Sequence, residues 1–145
     1  MFIDMSFFQL FIINAEGKLI YTRDFQNIHS ELTRDEQNDL MVGFITTLCD
    51  FCHLSSPTTS DAILYGYKTD TYALHYWESP TLFKFIITTV PNANSSEITK
   101  LLSSLYLKIY VPYVIKNPFW NYGKKIEIDL FTTMLDKFIE NEIIV

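Results

Sequence analysis

The chain has 145 residues, 48% of them hydrophobic and 16% aromatic against 19% charged, with a formal net charge of −6. That length suits one compact domain over residues 1–145, and the apolar fraction is large enough to offset the entropy of ordering the chain, which argues against a second domain and against long disorder. An acidic chain without a Lys/Arg cluster gains nothing by releasing counterions from a phosphate backbone, so nucleic acid is excluded as a partner and an anionic membrane is disfavoured as a direct one.

The N-terminus is apolar, but it carries Asp4 and has no basic region before its hydrophobic run, so it reads as a strand and not as a signal peptide. Ser6 to Ile13, the turn Asn14-Ala15-Glu16-Gly17, and Lys18 to Arg23 form an opening hairpin, with Gly17 supplying the positive φ of the turn. No apolar run reaches the roughly 20 residues that a membrane-spanning helix needs, and the expectation is a soluble cytosolic protein. Thr33-Arg34-Asp35-Glu36 has the form of a capping box and predicts a helix start. Leu40, Met41, Phe44, Ile45, Leu48 and Cys52 follow at helical spacing as its apolar stripe, and Ser55-Ser56-Pro57 ends it. Asp39, Thr46 and Asp50 fall on its other sides.

Ala62 to Lys68, Thr71 to Glu78 and Leu82 to Thr89 are rich in Tyr, Ile, Phe and Thr and predict three antiparallel strands, parted at Thr69-Asp70 and Ser79-Pro80-Thr81. Asn94, with Glu97 three residues on, caps a second helix whose stripe is Ile98, Leu101, Leu102, Leu105, Tyr106, Ile109 and Tyr113. Pro112 should bend that helix near Lys108 or end and restart it there, and Asn117-Pro118 should stop it. The loop Phe119-Trp120-Asn121-Tyr122-Gly123 precedes a third helix, with Lys124-Lys125 as its charged start and a stripe of Ile126, Leu130, Phe131, Met134, Leu135 and Phe138. The order β-β-α-β-β-β-α-α, with apolar residues on both faces of the strands, predicts a three-layer α/β/α domain with an antiparallel or mixed sheet.

The motif with most chemical content is Cys49-Asp50-Phe51-Cys52-His53, which fits haem attachment and contains a C-x-x-C redox pair. It lies late in an amphipathic helix, whereas haem attachment needs an exported chain and a thioredoxin-type pair sits where a strand hands over to a helix, so a structural reading is preferred. His29, His53 and His75 show no metal-ligand spacing with these cysteines, and His75, mid-strand among aromatics, reads as a structural residue. No phosphate-binding loop or nucleophile motif occurs, so neither a catalytic residue nor a cofactor is expected. Pro80, Phe119, Trp120 and Tyr122 are loop residues that either pack locally or meet a partner protein.

Tyr72-Ala73-Leu74-His75-Tyr76-Trp77-Glu78-Ser79-Pro80-Thr81 followed by Lys84-Phe85 resembles the strand-turn-strand signature of the small sybindin-like subunits of the TRAPP (transport protein particle) complex. Leu105 to Pro118, with its Lys116-Asn117-Pro118 exit, resembles the family's long helix, and Phe131 with Leu135-Asp136-Lys137-Phe138 resembles its last helix. The chain departs from the family at Ala73, in Ser79-Pro80-Thr81-Leu82, which lacks the glycine common after that proline, at Pro112, and in the short, non-basic loop before the first helix.

The resemblance implies a longin-type, SNARE-like fold: a five-stranded antiparallel sheet with one helix on one face and two on the other. It implies a non-catalytic subunit that pairs with a second longin subunit and with a TRAPP subunit of the palmitoylated small class. The assembled core would act as a nucleotide-exchange factor for a Rab-type GTPase in traffic between endoplasmic reticulum and Golgi, so the chain would be cytoplasmic and peripheral to those membranes, reaching them only through the complex. Asp39, Thr46 and Asp50 would face the GTPase or a partner. A clathrin-adaptor small chain would share the fold, and a thiol-dependent enzyme built on Cys49 and Cys52 is the alternative from another class.

Overall fold

The computed structural model describes residues 7–25, 33–55 and 66–143, and for residues 34, 49–55, 66, 67, 142 and 143 it describes the backbone alone. The elements are β1 (Phe7–Ile13), β2 (Leu19–Asp24), α1 (Arg34–Ser55), β3 (Gly66–Lys68), β4 (Ala73–Glu78), β5 (Lys84–Thr89), α2 (Ser95–Leu105), a π-helical continuation of α2 (Tyr106–Ile115) and α3 (Asp129–Ile143). The strands form one antiparallel sheet in the order β2-β1-β5-β4-β3.

Central position explains why β1 is apolar almost throughout. It pairs with β2 on one side and β5 on the other, and Leu10, Phe11, Ile12 and Ile13 are all buried. Alternation along the strands then builds two cores. Leu10, Ile12, Phe85 and Ile87 pack with Leu102, Leu105, Ile109 and Tyr110 of α2 and its continuation and with Phe131, Leu135 and Ile139 of α3. Phe11, Ile13, Leu74, Tyr76 and Ile86 point the other way and meet Ile45 of α1. Each fully buried Phe or Leu in these layers contributes about 1.5–3 kcal/mol over leaving it exposed.

Local signals set the ends. Gly17 turns the first hairpin at φ 84. The Thr33 hydroxyl accepts from the Glu36 amide at 3.2 Å, and Asn94 Oδ1 accepts from the Ser96 and Glu97 amides at 3.0 and 3.2 Å, satisfying helix-start donors that would otherwise lack partners. Ser79 closes the β4–β5 turn: its hydroxyl accepts from the Phe83 amide at 3.1 Å and its carbonyl from the Leu82 amide at 2.9 Å.

Several expectations are corrected. Leu40 does not join the α1 core but is 60% exposed; Ile45 carries that stripe, with Met41, Phe44 and Leu48 half-buried. Leu82 leaves the strand, adopts φ 69 in the turn and is 59% exposed. Lys124 and Lys125 do not open α3, which starts at Asp129, and Ile126 is buried ahead of it because its amide donates to the Ile20 carbonyl of β2 at 2.8 Å. Leu130 points outward at 56% exposure, and Ile139 is the core residue the pattern missed. Around Lys108 the α winding of α2 ends at Leu105 and gives way to π winding over Tyr106–Ile115, with Pro112 inside that segment and no break before it. The third predicted strand is described only over Gly66–Lys68, and Cys52 has no described side chain.

Candidate interaction surface

The aromatic loop between the π-helical segment and α3 is held in place at several points. The Lys116 and Asn117 amides donate to the Val111 and Val114 carbonyls, both at 3.1 Å, which closes the helix end. Asn117 Oδ1 then accepts from the Phe119 amide at 2.9 Å, a local turn made by a side chain standing in for backbone. Trp120 Nε1 donates to the Lys124 carbonyl at 3.0 Å. Asn14, buried in the first hairpin, accepts on Oδ1 from the Glu16 and Lys18 amides and donates from Nδ2 to the Gly123 carbonyl at 2.9 Å. One side chain thus ties two loops together, and Gly123 sits there at φ 81.

The three loop aromatics have different surroundings. Trp120 is half-buried, with its ring 6.3 Å from Tyr110 and 5.9 Å from Tyr122. Tyr122 lies 5.3 Å from Phe83 yet is 60% exposed. Phe119 is 92% exposed. Local packing therefore accounts for Trp120, accounts in part for Tyr122, and does not account for Phe119. Beneath them Tyr110 is fully buried among Phe83, Phe85, Tyr106 and Trp120; its hydroxyl has no partner among the described residues, and burial pushes its pKa well above the ordinary tyrosine value.

Two open grooves flank the loop. One, of about 410 Å³, is lined by residues that include Asn14, Glu16, Lys18, Tyr122, Lys124 and Lys125. The other, of about 370 Å³, includes Asn117, Phe119, Trp120, Lys124, Lys125 and Glu127. Lys124 and Lys125 form the ridge between them.

On the opposite face of the sheet, α1 presents Asp39 and Thr46 to solvent. The Thr46 hydroxyl donates to the Val42 carbonyl at 2.9 Å, which leaves its oxygen free to accept. The Asp50 side chain, like those of Cys49, Cys52 and His53, lies outside the described residues. The aromatic loop thus gathers three of the sequence candidates, while the α1 residues occupy a different face.

The strand-turn-strand residues sit mainly inside. Leu74, His75 and Tyr76 are buried, Tyr72 packs half-buried against the α1 layer, and Glu78 stands opposite Lys84 in the β4–β5 register. Pro80, Lys116 and Pro118 are exposed. The Thr89 hydroxyl donates to the Val90 carbonyl at 3.0 Å and lies 2.9 Å from His75 Nε2. Burial lowers the His75 pKa. Among the described residues no group of three His, Cys, Asp or Glu is placed to hold a metal, and no helix is long and apolar enough to cross a membrane. Sequence reasoning missed Asn14 as the loop tether, although an Asn opening a turn was the signal, and missed the Arg23–Asp136 pair at 2.6 Å, which fastens α3 to β2.

The comparisons agree with this architecture. The Sybindin-like family matches residues 7–142. Trafficking protein particle complex subunit 1 of Dictyostelium discoideum is 33% identical, covering 92% of this chain and 94% of that protein, and the Homo sapiens protein of the same name is 25% identical with 94% of each covered. Trafficking protein particle complex subunit 4 of D. discoideum is 28% identical, over 93% of this chain and 97% of that one. Among solved structures, a Roadblock/LC7 domain from Streptomyces avermitilis superposes with a TM-score of 0.54 at 13% identity, covering 74% of this chain and 85% of that one, and so shares the fold.

Proposed function

The chain belongs to the Sybindin-like family, and on that premise we propose that it is a non-catalytic, single-domain core subunit of a TRAPP-type vesicle-tethering complex. The observation that carries this reading is the match of nearly the whole chain to nearly the whole of proteins named as subunits of that complex. In it the longin-type domain pairs with a second longin subunit and a small subunit of the palmitoylated class, and the assembled core speeds nucleotide release from a Rab-type GTPase at endoplasmic reticulum and Golgi membranes. The chain stays cytoplasmic and meets those membranes through the complex.

Exchange of this kind needs no covalent step. A complex that binds the nucleotide-free GTPase more tightly than the loaded one shifts the population toward release, and the rate gain is limited by that difference in affinity. The subunit's part is to offer rigid surfaces: Asp39, Thr46 and Asp50 on α1 toward the GTPase, and Phe119, Trp120 and Tyr122 toward a neighbouring subunit.

Release of a fluorescent GDP analogue from the GTPase, measured with the purified complex, tests the proposal. Omitting the chain should return the rate to the intrinsic one, and Asp39→Arg with Thr46→Arg should lower it at least tenfold with the complex still assembled. Unchanged release from a complex lacking the chain would refute the exchange role.

A further inference from the structure

Four observations converge on the end of the sheet where the turns of the first and the β4–β5 hairpins meet the aromatic loop. Phe119 is nearly fully exposed although the Asn117 side chain and the Trp120–Lys124 hydrogen bond fix the loop that carries it. Leu82, also exposed, keeps a left-handed backbone that favours glycine, a local strain of order 1 kcal/mol. Grooves open on both sides of the Lys124–Lys125 ridge. Finally, Lys18, Lys124 and Lys125 outweigh Glu16 and Glu127 along these grooves, in a chain whose net charge is −6.

We propose that this end of the molecule is a docking site for an acidic segment of a partner protein, which lays carboxylates along the Lys124–Lys125 ridge and receives Phe119 in an apolar pocket of its own. The assignment deepens the subunit reading and rests on it. An aromatic residue on a pre-ordered loop is suited to such a contact, because little backbone entropy remains to be lost on binding. The lysines have no ion-pair partner among the described residues, so the partner's carboxylates meet free ammonium groups, which sets orientation and association rate. A protein segment fits better than an anionic lipid surface. The site is concave on both sides of the ridge, a shape that an extended chain can follow and a flat bilayer cannot.

The test places a photo-crosslinking p-benzoylphenylalanine at position 119 of the chain, purifies the complex and sequences the crosslinked product. A crosslink into a partner segment with Asp or Glu among its neighbouring residues is expected. Lys124→Glu with Lys125→Glu should lower the yield at least tenfold with the melting temperature unchanged, and Lys124→Arg with Lys125→Arg should restore it. A crosslink to lipid, a crosslink into a segment without acidic residues, or no crosslink in an intact complex would overturn the proposal. An acidic segment captured from a protein outside any TRAPP-type complex would keep this site and overturn the subunit reading instead.

Discussion

His75 is buried on a central strand pair, with Nε2 at 2.9 Å from the Thr89 hydroxyl. Its folded pKa lies below the ordinary value of 6.5, so unfolding takes up a proton in the pH window between the two. The stability contributed by neutral His75 is present in full above pH 6.5 and is lost as the pH falls toward its folded pKa. Thermal unfolding followed from pH 7.5 down to 5.5 should show a decline that His75→Gln flattens; an equal slope in both proteins would assign the decline elsewhere. Tyr110 makes the complementary case: its buried hydroxyl lacks a partner among the described residues, so Tyr110→Phe should leave stability unchanged or raise it by about 1 kcal/mol in urea denaturation. A clear loss would mean the hydroxyl is satisfied. Asn14 has three hydrogen bonds to lose, and Asn14→Ala should cost about 2 kcal/mol, with faster amide exchange in residues 119–124 as the sign that the loop tether has gone.

At the level of elements, strands and helix starts were legible because each had a local chemical cause. Gly17, Thr33 and Asn94 occupy the positions where a positive φ or a side-chain acceptor is required, and β1 reads as a doubly covered strand because it is one. What was not legible depends on pairing and packing that no local pattern encodes. Leu40, Leu82 and Leu130 are apolar at helical or alternating spacing, yet they face solvent because the sheet meets neighbouring positions instead. Pro112 shows the same limit: its ring forbids straight α winding, but no local pattern says whether the chain kinks, restarts or, as here, changes to i→i+5 bonds. Of the candidate site, Phe119, Trp120 and Tyr122 could be found as loop aromatics, whereas their division into a packed Trp and a bare Phe required the fold. Replacing the α2 cap tests the local side of this account: Asn94→Ala should cost about 1 kcal/mol in chemical denaturation without changing the fold.

For the whole molecule, the two-faced sheet separates two surfaces. One face and α1 display Asp39 and Thr46, while the sheet end that carries the aromatic loop presents Phe119 beside Lys124 and Lys125. Because Phe119 is bare, Phe119→Ala should change the stability of the isolated chain by less than about 0.5 kcal/mol while weakening its association with the complex. A residue that served folding would show the reverse.

The central claim is that this chain works as a subunit of a TRAPP-type assembly. Affinity purification of the tagged chain from a lysate of its native cells, with identification of what comes with it, addresses that claim most directly. The account predicts recovery of other TRAPP-type subunits in stoichiometric amounts. A monodisperse chain without partners, or one recovered with clathrin-adaptor subunits, would contradict it.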